Sequence, residues 1–124
     1  MTARRQRVAV TGVGIVSALG GSAMKTWSRL CAGETGIGPV TLFDVSGQRS
    51  GLAAEVKSMD PGLVPAAGVD AWSRTDVMVV LAAQSALAHA GLRDPGSDLA
   101  LAVGGTTGGM LEAEGTFLGD SGLA

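Results

Sequence analysis

One cysteine, Cys31, one histidine, His89, and no tyrosine leave this 124-residue chain with little obvious catalytic or metal-binding equipment. A lone thiol excludes an internal disulfide and a cysteine-rich zinc centre, and it fits a reducing, cytoplasmic setting. Charge of one sign is also missing. Nine Lys and Arg stand against eleven Asp and Glu, a net of −2, so there is no basic face for a phosphate backbone and nucleic-acid binding is set aside. No run of eighteen uninterrupted apolar residues exists to span a bilayer. Arg4, Arg5 and Arg7 ahead of the apolar stretch from Val8 to Leu19, with Ser22-Ala23 beyond, have the outline of a secretory leader. Thr11, Gly12, Gly14 and Ser17 interrupt that stretch, which favours a chain that is neither exported nor membrane-bound.

Glycine, in contrast, is plentiful. Its 20 residues, in a chain 46% apolar and 16% charged, exclude a charged disordered tail and indicate one globular unit in which backbones approach closely. Val8-Ala9-Val10-Thr11 reads as a strand covered on both faces, because it lacks polar alternation. Ser22 is placed to cap a helix whose Met24, Trp27, Leu30 and Cys31 share a face, with Gly33 just past its end. Residues 34–39 read as a loop, residues 51–56 as a short strand, and the segment from Met59 to Asp70, with Pro61 and Pro65, as irregular chain.

Thr75 to Ala90 reads as a helix buried nearly all round, with Gly91 as its stop. Asp94-Pro95-Gly96-Ser97 then turns the chain into a second apolar strand, Leu99 to Val103, and a last helix runs from near Gly109 toward Phe117. Alternating strands and helices of this kind belong to the α/β class.

Two glycine clusters invite a cofactor reading. Gly12-Val13-Gly14 follows a strand, but Ser17 stands where a third glycine belongs and Gly20-Gly21 interrupts the helix that a dinucleotide would need. Gly104-Gly105-Thr106-Thr107-Gly108-Gly109 lacks the phosphate-loop lysine. Both read as places of close backbone packing, and no cofactor or metal is expected. Cys31 lies on the apolar face of an ordinary helix with nothing beside it to generate a thiolate, so a packing role is expected. His89, in the last turn of the long helix, reads as a capping or surface residue. Arg74 and Asp76, at its start, read as an ion pair or a cap.

Taken in order, these pieces resemble one family. The stretch from Val8 to Ser17, then Trp27 and Leu30 ahead of Ala32-Gly33-Glu34-Thr35-Gly36-Ile37, Phe43-Asp44, residues 52–56, Arg74-Thr75-Asp76 opening an alanine-rich helix, and Val103 to Met110 are similar to the amino-terminal signature of β-ketoacyl-[acyl-carrier-protein] synthases. The resemblance implies the thiolase-like α/β fold, with residues 1–124 as an incomplete first half of a layered subunit. It implies acyl carrier protein as partner and a homodimer, or a heterodimer with a related synthase subunit.

It also implies a reaction in which a cysteine takes an acyl group from a carrier-protein thioester. Two histidines then assist decarboxylation of a malonyl thioester, whose carbanion attacks that acyl group. The family's cysteine and histidines fall beyond Ala124, so no catalytic residue is carried over and the chain alone is expected to be inactive. A silent partner of the chain-length-factor kind, or a truncated product, stays open. The carry-over that remains is substrate-binding. Thr107, with Gly108 beside it, falls where elongating enzymes carry a bulky isoleucine that gates the acyl tunnel. A smaller, more polar residue there argues against an ordinary straight-chain saturated substrate and leaves a polyketide or polyene branch open.

Overall fold

A 16-residue helix, α2 (Arg74–His89), organises the chain, and both glycine clusters pack against it. The computed structural model describes residues 7–57, 59, 72–93, 96 and 99–117. Arg4 and Arg5 of the leader-like pattern, the proline-containing stretch beyond Met59, and Asp94, Pro95 and Ser97 of the expected turn lie outside the described residues.

The start of α2 is fixed by Ser73, which moves the helix one residue ahead of the expected Thr75. The Ser73 hydroxyl accepts the Asp76 N–H at 3.2 Å, and the Asp76 carboxylate accepts the Ser73 N–H at 2.9 Å and its hydroxyl at 2.7 Å. This reciprocal cap satisfies backbone donors that a helix start would otherwise leave open. It settles Asp76 as a cap; Arg74 instead bonds the Val56 carbonyl. The Ser73 hydroxyl, and after it the Ser73 N–H, holds the Asp76 carboxyl below the usual carboxylate range. A carboxyl whose pKa is lowered by folding stabilises the fold above its unfolded pKa and loses that contribution as pH falls through the folded value. The cap is therefore expected to weaken below about pH 4. Ser73→Ala is expected to cost about 1 kcal/mol at neutral pH. Thermal unfolding of the two forms of the complete synthase across pH checks both statements, and the gap between them should shrink toward the acid end.

Glycine ends the helices as expected. At Gly91 (φ 74°), N–H groups of Gly91 and Leu92 return to the carbonyls of Ala88 and Leu87 at 3.1 and 2.9 Å. Gly33 (φ 73°) ends α1 (Ala23–Cys31) in the same way, with Gly33 and Glu34 bonding Leu30 and Arg29. This is the Schellman arrangement, which calls for a left-handed residue and so for glycine. Ser22 caps the start of α1, accepting the Lys25 N–H at 3.2 Å.

The described sheet is small. Strand β1 (Ile37–Pro39) pairs antiparallel with β2 (Leu52–Ala54), with Ile37 opposite Ala54 and Pro39 opposite Leu52. The β2 strand lies within the expected residues 51–56, whereas β1 corrects the expected loop over 34–39. Val40 donates to the Gly51 carbonyl at 2.9 Å, which makes Pro39 and Leu52 a non-hydrogen-bonded pair, so the proline nitrogen faces away from β2 and costs no ladder bond. Glu55 closes the hairpin by accepting the Thr41 N–H and hydroxyl at 2.9 and 2.8 Å. Those bonds, the hydroxyl's first, hold its carboxyl below the usual range.

The two apolar runs expected as central strands, residues 8–11 and 99–103, join no ladder among the described residues. An apolar run without alternation becomes a strand only when neighbours pair with its edges and layers cover its faces. Among the described residues neither is present: Val8 is 92% exposed and Leu101 71%. The apolar side of α1 is equally bare, with Trp27 66% exposed and Cys31 exposed rather than packed. Helix α2 is half-buried along most of its length rather than enclosed, and Ser73 alone is buried among the described residues.

Candidate functional site

Both ends of α2 meet a glycine cluster. Near its C-terminal end, Ala82, Ala86 and Ala90 recur every four residues and so lie on one face. The segment Gly12-Val13-Gly14 lies directly on that face. A Cβ added at Gly12 would come within 2.2 Å of the Ala86 carbonyl oxygen, and one at Gly14 within 1.9 Å of the Ala82 oxygen. The glycines thus serve close packing, as the sequence suggests, and Gly12 and Gly14 abut a helix flank rather than the helix N-terminus that binds pyrophosphate. His89 fastens this segment. Its Nδ1 lies 3.1 Å from the Val13 nitrogen and 3.3 Å from the Val13 oxygen, accepting the N–H when the ring proton is on Nε2 and donating to the carbonyl when it is on Nδ1. A hairpin turn follows, with Ser17 and Gly20 exchanging backbone bonds at 2.9 and 3.0 Å, and the Ser17 hydroxyl reaches the Thr26 hydroxyl on α1 at 2.9 Å.

At the N-terminal end of α2 sits the second cluster, residues 104–109, which leads into α3 (Met110–Phe117). Thr107 is exposed and makes no hydrogen bond among the described residues. Gly108, the other expected site residue, lies against α2: a Cβ there would stand 3.1 Å from Thr75 Cγ2. Gly109 adopts φ 74° and lies beside Ser73. The Glu112 carboxylate accepts the Arg74 N–H at 3.1 Å. Ser73 and Glu112 take part in this arrangement without having been singled out in the sequence. The spacing Ser73-x-x-Asp76 is a readable cap signal. Nothing in the sequence pairs Glu112 with a backbone group 38 residues away.

The exposed Cys31 thiol has no hydrogen-bonded base among the described residues, and His89 is engaged with Val13. The described residues therefore do not bring Cys31 and His89 together as a nucleophile and base. They hold no cluster of three His, Cys, Asp or Glu side chains suited to a metal ion, and no helix long and apolar enough to cross a membrane.

What the described residues define is a domain whose candidate site is built from glycine-rich backbone laid on one alanine-rich helix, rather than from titratable side chains. Residues 5–122 match the amino-terminal domain of β-ketoacyl synthases, and the chain belongs to that family. It is 42% identical over 82 residues to a 3-oxoacyl-[acyl-carrier-protein] synthase 2 of Coxiella burnetii, covering 66% of this chain and 19% of that protein. It is 34% identical over 114 residues to the tetracenomycin polyketide synthase ketoacyl synthase alpha subunit of Streptomyces glaucescens, covering 83% and 26%. Nodulation protein E of Rhizobium sp. (strain N33) is 30% identical over 87 residues, covering 70% and 22%. The chain thus spans between 19% and 26% of the length of these three relatives.

Proposed function

We propose that this chain serves as the amino-terminal domain of a 3-oxoacyl-[acyl-carrier-protein] synthase of thiolase-like fold, acting in fatty-acid or polyketide synthesis in the cytoplasm. The observation that carries this reading is the family match over residues 5–122, which includes the glycine-rich segment that presents Thr107. In this reading a cysteine outside these residues exchanges thioester with acyl carrier protein, releasing the carrier thiol. Loss of CO2 from malonyl-carrier protein leaves a carbanion that attacks the enzyme-bound acyl carbon, and the cysteine departs as thiolate. The partners are acyl carrier protein and a second synthase subunit, identical or related.

The role of this chain is to shape the acyl site. Thr107 lines the path of the acyl chain, and Gly108 allows the segment to close onto Thr75. In the complete synthase, Thr107→Ile is expected to narrow or shift the accepted acyl lengths, measured as kcat/KM across a series of acyl-carrier proteins. An unchanged profile at unchanged stability removes Thr107 from the site.

The chain by itself is expected to transfer no acyl group, because Cys31 has no base to make it a nucleophile. Intact mass after incubation with acyl-carrier protein checks this. An adduct that disappears in Cys31→Ser contradicts it.

A further inference from the structure

We infer that Glu112 is a positioning residue for acyl-length selection, an inference that rests on the reading of Thr107 as a lining residue. The N-terminal turn of α2 has backbone N–H groups to satisfy, and its own cap serves two of them, those of Ser73 and Asp76. A third, the Arg74 N–H, is served from outside the helix by Glu112, in the first turn of α3. A carboxylate at this position is also favoured by the positive end of the α2 dipole.

The consequence is geometric. Residues 104–109 run directly into α3, so the bond from Glu112 to Arg74 ties the far end of the glycine segment to α2. Gly108 makes a second point of attachment, since its Cα lies close enough to Thr75 that even a methyl group would crowd Cγ2 at 3.1 Å. Gly109, at φ 74°, supplies the bend between those attachments. Thr107 immediately precedes them and has no bond of its own among the described residues. Its position is therefore set by its neighbours, and Glu112 is the polar side chain that holds them against α2.

The test uses the complete synthase and the ratio of kcat/KM for a short and a long acyl-carrier protein, with Thr107→Ile as reference. Glu112→Ala is expected to change this ratio several-fold, and Glu112→Gln, whose amide oxygen still accepts the Arg74 N–H, to keep it near wild type. Should Glu112→Ala not fold, Gly108→Ala carries the same test. It should shift the ratio, and Thr75→Ser, which removes the crowded methyl, should restore it. If Thr107→Ile shifts the ratio and Glu112→Ala does not, Glu112 has no positioning role and the reading of Thr107 stands. If neither shifts it, the reading of Thr107 falls and the inference with it. A uniform loss across all acyl lengths, or an equal shift in Glu112→Ala and Glu112→Gln, overturns the inference as well.

Discussion

Purified alone, the chain is expected to self-associate and to unfold without a single cooperative transition. Val8, Val10 and Phe117 are more than four-fifths exposed, and Met24, Trp27 and Leu30 leave a whole face of α1 uncovered. Fully burying one such aliphatic side chain is worth roughly 1.5 to 3 kcal/mol, and a typical domain is stable by about 5 to 15 kcal/mol. Leaving this many uncovered removes a large part of what would hold the chain together. Apolar surface of this extent drives association in water. In the proposed reading, its cover comes from the rest of the synthase subunit and from the partner subunit. Sedimentation velocity at tens of micromolar, paired with thermal unfolding, is the check. A monomer with one sharp transition would show that the exposed surface is tolerated and that the chain is an autonomous domain.

Gly14→Ala in the complete synthase is expected to be severely destabilising, by about 3 kcal/mol or more, at the upper end of what overpacking costs. The added methyl would stand 1.9 Å from the Ala82 carbonyl oxygen and 2.7 Å from the Ala86 nitrogen. These are main-chain atoms of a helix and cannot rotate away. Relief requires moving the segment off α2, which also breaks the bond between Val13 and His89. Two comparisons sharpen the expectation. Gly21→Ala, with nothing within 4 Å of the new methyl, should be close to neutral. Ala82→Gly should not rescue Gly14→Ala, because the clash is with the backbone and not with the Ala82 side chain. Melting temperature and soluble yield of the variants measure this. A near-wild-type Gly14→Ala would mean that this segment does not lie on α2.

The parts of the fold that were legible in the sequence are those decided locally. Ser22, Gly33 and Gly91 mark helix ends because capping depends on a few adjacent residues, and α1, α2 and α3 fall within a residue or two of their expected bounds. The packing role of Gly12 and Gly14 was legible as well, although the alanine face that receives them was not. Strand β1 was hidden because Gly38 and Pro39 read as breakers, and only the pairing register shows that Pro39 needs no N–H. The runs at 8–11 and 99–103 carry the composition of buried strands, but a strand exists only through its neighbours, and composition does not say where those come from. For the candidate site, the sequence pointed to Thr107 and Gly108 through family resemblance. The bond from Glu112 to Arg74 joins two helices by a contact that no local pattern encodes.

The central claim, that this chain is a working amino-terminal domain of a condensing enzyme, is tested most directly by exchange. Residues 5–122 would replace the corresponding segment of the Coxiella burnetii synthase 2, and formation of 3-oxoacyl product from acyl- and malonyl-carrier protein would be measured by mass spectrometry. The account predicts a folded chimera that makes the condensation product. A chimera that unfolds cooperatively and takes up the acyl group on the parent's cysteine, yet forms no 3-oxoacyl product, would contradict it.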